Sequence, residues 1–145
     1  MNMKLIDTCA VIDLFERNQQ DALLKPGIAV CSFNADELIH IEHRHSMNVH
    51  LRHKIKKFFL DNALAIVKVP VSPGQRAEEQ KYVASIDAEL LKLIADPSDA
   101  VLAACALSIG ADIVTKDRHH LYTAKLENMF SKNNIHVSKS LEKPL

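Results

Sequence analysis

The sequence predicts an α/β fold, a three-layer α/β/α sandwich with a mainly parallel central sheet. Short apolar segments typical of buried strands alternate along the chain with longer segments of helical spacing. The chain has 145 residues, of which 48% are hydrophobic, which is enough for one core. Because neither a repeat nor a linker interrupts the alternation, we expect residues 1–145 to form a single domain.

Turn residues and changes of periodicity give the boundaries of the elements. Buried strands are predicted over residues 3–6, 28–31, 65–69, 111–115 and 135–137. Helices are predicted over residues 9–15, 35–60 with a break near 46–48, 75–95 with a break near Ser85, 96–110, and 123–132. Thr8 is expected to cap the first helix, since a threonine before an apolar helical segment is a favoured N-cap.

The helix predicted over residues 96–110 has the clearest signals at both ends. Asp96 is expected at the N-cap, Pro97 at the first helical position and Asp99 at the third. Its body, AVLAACALSI, is almost wholly apolar and ends at Gly110. This pattern predicts a helix that is buried on most sides.

Composition excludes several classes of protein. The 18 basic and 18 acidic residues cancel, so overall charge predicts no polyanion partner, and such a partner needs a local patch. The three cysteines lack zinc-site spacing and indicate reduced thiols in a cytoplasmic protein. Three glycines without a GxGxxG or GxxxxGK[ST] pattern exclude a glycine-rich phosphate loop. No apolar run reaches the length of a membrane span, and the N-terminus does not resemble a signal peptide.

Four acidic residues are predicted to meet at one edge of the sheet. Asp7 and Asp117 follow predicted strands, while Glu37 and Asp99 lie near helix starts that can reach the same edge. Each acid alone is explicable as a cap, a turn residue or a solvated side chain. Together, carboxylates at one place repel each other unless a cation lies among them, and a hard divalent cation with oxygen ligands fits best.

In their order and setting, these acids resemble those of the PIN-domain ribonucleases, particularly the VapC-like toxins of type II toxin–antitoxin systems. The matching segments are LIDTCAVIDL, the Glu-Leu step at residue 37, PSDAVLAACAL and IVTKD, and the resemblance extends over essentially the whole chain. It implies that Asp7, Glu37, Asp99 and Asp117 are catalytic and hold Mg²⁺ or Mn²⁺. It also implies cleavage of RNA to 5′-phosphate and 3′-hydroxyl ends, a cognate antitoxin and a homodimer.

Two threonines resemble the hydroxyl residues that support the acid cluster in this family. A hydroxyl beside a carboxylate can hydrogen-bond to it and orient it. Thr8 and Thr115 are therefore candidate supporting residues, although a helix cap and a strand residue explain them equally well. Asp13 is expected at the surface, and Asp96 is expected to serve as an N-cap with a possible contact to the metal ligands.

Basic residues offer candidate contacts to an RNA backbone. Lys116 and Arg118 flank Asp117, and Arg52 and Lys54 belong to a basic segment that also contains five histidines, from His40 to His53. The histidines have no supporting cysteine or HExxH pattern, so a solvated helix surface explains them better than a zinc site.

Three other functions remain open from the sequence. The chain could be a PIN-domain nuclease of RNA processing rather than a toxin, or a non-catalytic PIN-like module that binds RNA or protein. A phosphatase of the haloacid-dehalogenase type is disfavoured, because that family requires a second aspartate where this chain has Cys9.

Overall fold

The computed structural model describes residues 2–39, 48–116 and 123–141. Its centre is a five-stranded sheet in which all strand pairs are parallel. The strands are β1 Lys4–Ile6, β2 Ile28–Cys31, β3 Ile66–Val67, β4 Asp112–Val114 and β5 Val137–Ser138, and their order across the sheet is β3-β2-β1-β4-β5. Since the chain leaves β1 toward β2 and later returns to its other side as β4, the strand order reverses between β1 and β4.

Helices cover both faces of this sheet. They are α1 Thr8–Glu16, α2 Ser32–Ile39, α3 Val49–Asp61, α4 Arg76–Asp87, α5 Leu90–Leu93, α6 Pro97–Ile109 and α7 Ala124–Lys132, with a 3₁₀ turn at Gln20–Leu24. Successive strand residues face opposite sides. Leu5 and Ile113 pack with α4, α6 and α7 in one core, whereas Ile6 and Val114 pack with α1, α2 and α3 in the other. The predicted three-layer α/β/α sandwich is therefore confirmed.

The predicted buried helix is α6. The Asp96 carboxylate accepts a hydrogen bond from the backbone nitrogen of Ser98 (3.0 Å), and Pro97 is the first helical residue. Gly110 ends the helix in the left-handed conformation (φ 68°), which a glycine adopts without strain. The small side chains of AACA, residues 103–106, allow α6 to pack between α4 and the sheet, and its residues 100–106 are buried.

Several boundaries differ from the predicted ones. Asp7, not Thr8, is the N-cap of α1, because its carboxylate reaches the backbone nitrogen of Thr8 (2.7 Å) and Thr8 is already helical. Helix α2 begins at Ser32, directly after β2, three residues earlier than predicted. The break between α4 and α5 falls at residues 88–89 rather than at Ser85, and β5 lies two residues beyond its predicted start.

Part of the predicted break near residues 46–48 lies outside the described ranges. Across those ranges, no helix is both long enough and apolar enough to cross a membrane.

Candidate active site

The carboxyl ends of β1 and β4, where the strand order reverses, carry the candidate site. Clefts for ligands form at this position in parallel sheets, because the connections on either side diverge to opposite faces. Asp7 directly follows β1, and Thr115 directly follows β4. The backbone nitrogen of Asp7 donates to the carbonyl oxygen of Val114 (2.8 Å), so the two strand ends stay paired up to the cleft.

A cavity of about 100 Å³ at this edge brings three of the four predicted acids together. It is lined by Asp7, Thr8, Cys9, Asn34, Glu37, Ser98, Asp99 and Leu102. The fourth acid, Asp117, lies outside the described residues. Within the described lining, all the charged side chains are acidic.

Asp7 is held on both of its oxygens. Oδ1 accepts the helix-capping bond from the Thr8 nitrogen, and Oδ2 accepts a hydrogen bond from the Thr115 hydroxyl (2.7 Å). Thr115 is fully buried, so bulk water does not compete with Asp7 for its hydroxyl. The Asp7 carboxylate is thus oriented by two elements that are distant in sequence, α1 and the end of β4.

Glu37 is oriented from the helix layer. The Thr8 hydroxyl donates to its Oε1 (3.0 Å), and the amide nitrogen of Asn34 approaches the same oxygen (3.2 Å). Thr8 and Asn34 are both buried, at 5% and 4% exposure. The two threonines named as candidates therefore each donate to one acid, Thr115 to Asp7 and Thr8 to Glu37.

Asp99 enters the cavity from the first turn of α6. The preceding residue, Ser98, donates its hydroxyl proton to Oε1 of Glu79 at 2.5 Å, and Glu79 is 1% exposed. The other oxygen of Glu79 accepts from the backbone nitrogen of Gly74 (3.1 Å). Glu79 thus ties the start of α6 to α4. Asp96 is half exposed, does not line the cavity, and lies 4.0 Å from Arg76.

Asn34 and Glu79 were not predicted from the sequence. Asn34 precedes Glu37 by three residues, which places both on one face of α2, and that spacing was an available signal. Glu79 carries no such signal, because it belongs to a polar segment, RAEEQK, that has the appearance of an exposed helix.

Cys9 lines the cavity and contacts Asp7. Burial and the negative charge of Asp7 raise the pKa of the Cys9 thiol above its usual value. Its sulfur accepts from the backbone nitrogen of Lys116 (3.3 Å) and contacts Oδ2 of Asp7 at 3.5 Å. At neutral pH Cys9 is therefore a neutral thiol, and it adds no further negative charge to the acids.

The basic residues singled out in the sequence fall in different places. The Lys116 ammonium lies 3.6 Å from Asp13, which also pairs with Arg17 (3.2 Å). Lys54 is exposed and donates to Asn18, at the end of α1 remote from Asp7. Arg52 is partly buried in the same helix, α3.

Most of the histidine segment cannot be placed. His50 and His53 are exposed on α3. The predicted RNA-contacting residue Arg118 and three of the five histidines, His40, His43 and His45, lie outside the described residues.

A larger cavity of about 450 Å³ lies on the other side of α1. Its lining includes Ile6, Ala10 and Val114 and two acids, Asp13 and Asp21, and Asp13 already has two cationic partners. We assign the candidate chemistry to the smaller cavity, because three described acids from three parts of the fold line it, whereas two described acids line the larger one. Lys116 contacts both cavities, because it lines the larger one and its backbone nitrogen donates to Cys9 in the smaller one.

The smaller cavity, the acid cavity, has a lining that fits a divalent cation. Its charged groups are carboxylates, whose oxygens are the ligands that hard cations such as Mg²⁺ prefer. In the described ranges no three acidic, histidine or cysteine groups lie close enough together to form a complete metal site. The described acids therefore provide a partial ligand set, from β1, α2 and α6.

Comparison with known proteins agrees with the fold. No curated protein sequence matches the chain. A solved structure, VapBC2 from Rickettsia felis bound to a DNA fragment from its promoter, resembles it with a TM-score of 0.55 and 18% identity; 92% of this chain and 96% of that chain are covered. The PIN-domain family model matches residues 4–126, the range that contains every strand except β5 and all four predicted acids. The chain therefore belongs to the PIN-domain family.

Proposed function

We propose that this protein is a metal-dependent endoribonuclease that hydrolyses RNA phosphodiester bonds. The observation that carries the proposal is the convergence of Asp7, Glu37 and Asp99 on one cavity at the reversal of the strand order. PIN-domain proteins are nucleases that generally use divalent metal ions, so family membership supports the same chemistry.

The chain's own residues have separable tasks in this proposal. Asp7, Glu37 and Asp99, with Asp117, hold one or two Mg²⁺ or Mn²⁺ ions. When bound, the cation supplies Lewis-acid stabilisation of the charge that develops at the scissile phosphate. Thr115 and Thr8 keep Asp7 and Glu37 aimed at the cavity, since a fixed hydrogen bond removes rotamers that point elsewhere.

Lys116 is the cation best placed to hold the RNA backbone. It follows β4 by two residues, its side chain is about one-third exposed, and its backbone nitrogen contacts Cys9 at the acid cavity. Phosphates near three carboxylates need a compensating positive charge, and a lysine in this position provides it. Arg118 is proposed for the same role from the sequence alone, whereas the contact of Lys54 with Asn18 supports no role at this site.

Removal of the metal tests the proposal. We expect the purified protein to cleave single-stranded RNA with Mg²⁺ or Mn²⁺ and to lose that activity with EDTA, because the acids alone repel a phosphate. Addition of excess Mn²⁺ should restore cleavage and give 5′-phosphate ends, which a ligation assay detects.

Two results would contradict the assignment. Cleavage that persists in EDTA would exclude a metal-dependent nuclease. Metal-independent RNA binding without cleavage of any of a broad panel of RNAs would instead favour a non-catalytic PIN-like module.

We further propose that the nuclease is the toxin of a toxin–antitoxin pair, acts in the cytoplasm and forms a homodimer. The similarity in fold to a chain of the VapBC2 complex from Rickettsia felis supports the toxin role, whereas the cytoplasmic location and the homodimer are proposed from the resemblance of the sequence alone. Light scattering tests the dimer, and a monomer at micromolar concentration would contradict it.

Expression in bacteria tests the toxin role. We expect induction to arrest growth, because an unrestrained ribonuclease depletes cellular RNA, and co-expression of the protein encoded beside it should restore growth. A companion that binds the toxin without restoring growth would not be an antitoxin. Normal growth of cells that contain active nuclease would favour a role in RNA processing instead.

A further inference from the structure

Asn34 is a buried amide that lies among the acids. It is 4% exposed and lines the acid cavity. Its nitrogen donates to the Thr8 hydroxyl oxygen (2.9 Å) and to Oε1 of Glu37 (3.2 Å), and it lies 3.4 Å from Oδ1 of Asp7. One amide group therefore connects both carboxylates with the hydroxyl between them.

The oxygen of the same amide, in contrast to its nitrogen, has no hydrogen-bond partner among the described residues. Oδ1 of Asn34 is buried, and no donor in the described part of the chain reaches it. A buried acceptor without a hydrogen bond loses the water it would bind in the unfolded chain and destabilises the fold. Rotation of the amide by half a turn would place this oxygen against the acceptor oxygens of Asp7 and Glu37, which cannot donate to it when ionised. The acids thus set the orientation of the amide, although its oxygen loses a partner.

We infer that Asn34 is a positioning residue of the acid site and controls its affinity for the cation. The amide nitrogen holds Asp7 and Glu37 toward one cavity and offsets part of their mutual repulsion while no cation is bound. This inference rests on the proposed function, because it concerns the same metal site. It adds a neutral residue that sets how strongly the acids attract the metal.

The substitution Asn34→Asp tests this role with little change in side-chain volume. It replaces the two N–H donors by acceptors and adds a negative charge within hydrogen-bond distance of Glu37. Coulomb repulsion should lower the thermal stability of the metal-free variant. The Mn²⁺ dissociation constant, measured calorimetrically on RNA-free protein, should fall at least about five-fold, and Mn²⁺ should raise the melting temperature more than in the wild type.

Gln80→Glu is the matched control. Gln80 is exposed on α4, so the substitution adds the same charge without entering the cavity. We expect its Mn²⁺ affinity to equal that of the wild type. If Asn34→Asp does not fold without metal, refolding yield with and without Mn²⁺ replaces the titration, and rescue by Mn²⁺ is expected.

The outcomes separate this inference from the proposed function. If the wild type binds Mn²⁺ and cleaves RNA but Asn34→Asp binds Mn²⁺ no more tightly, the positioning role is overturned and the nuclease stands. An Asn34→Asp chain that stays unfolded both with and without Mn²⁺ also overturns the role, because a further carboxylate at a metal site must make stability depend on the metal. If the wild type neither binds Mn²⁺ nor cleaves RNA, both proposals fail.

Discussion

The substitution Asp7→Asn should lower the rate of RNA cleavage by at least about 100-fold while the protein remains folded. The change removes a negative charge that the cation needs. It does so at an acid whose two oxygens each accept a hydrogen bond, which orients the carboxylate toward the cavity. The fold should survive, because asparagine is an equally good N-cap for α1 and can still accept from the Thr8 nitrogen. Initial cleavage rates at saturating Mn²⁺ measure the loss of activity, and circular dichroism checks that the variant remains folded.

Asp13→Asn is the control for that experiment. It makes the same chemical change six residues later, at an acid that lines the larger cavity and pairs with Arg17 and Lys116. A partly exposed ion pair contributes little, so we expect cleavage within about three-fold of the wild-type rate. If Asp13→Asn were the more damaging change, the active site would have to be reassigned to the larger cavity.

The sequence predicted best those positions that are determined by a single strand or helix. A polar residue after a buried strand must lie at the carboxyl edge of a parallel sheet, which places Asp7 without any knowledge of its neighbours. The start of α6 was equally predictable, since Asp96, Pro97 and Gly110 are local signals with local causes. Asp99 follows from these, because the third residue of a helix has a fixed relation to its cap.

Contacts between distant elements were not predictable in this way. The link from Thr115 to Asp7 spans 108 residues, and it exists only because β1 and β4 are neighbours in the sheet. The same applies to Asn34, whose role depends on Thr8 and Asp7 in another element. Periodicity identifies which residues share a face of α2, but it does not identify what lies opposite that face.

The predicted start of α2 was wrong for a related reason. The segment Ser32-Phe33-Asn34 has the composition of a turn, and it was predicted to separate β2 from a helix that starts at residue 35. The structure begins α2 at Ser32 instead, because Phe33 and Ala35 find opposite cores, one on each side of the sheet. Tertiary burial thus outweighed the local turn preference.

The importance of Glu79 comes only from its contacts in the fold. We expect Glu79→Ala to lower the free energy of unfolding by roughly 2–4 kcal/mol. The loss has two causes. Gly74 and Ser98 each lose the acceptor of a hydrogen bond, and truncation of a side chain that is 1% exposed leaves a cavity between α4 and α6. Urea denaturation followed by circular dichroism measures the change, provided that the slope with denaturant stays constant.

Two variants of the same helix make this prediction specific to Glu79. Glu78→Ala removes an exposed acid of the same helical turn and should cost less than about 1 kcal/mol. Glu79→Gln keeps one acceptor oxygen and most of the volume, so its loss should lie between those of the two alanine variants. If Glu79→Ala were no more destabilising than Glu78→Ala, the contact with Ser98 would not hold the start of α6. The position of Asp99, the next residue, would then not depend on the contact between α6 and α4.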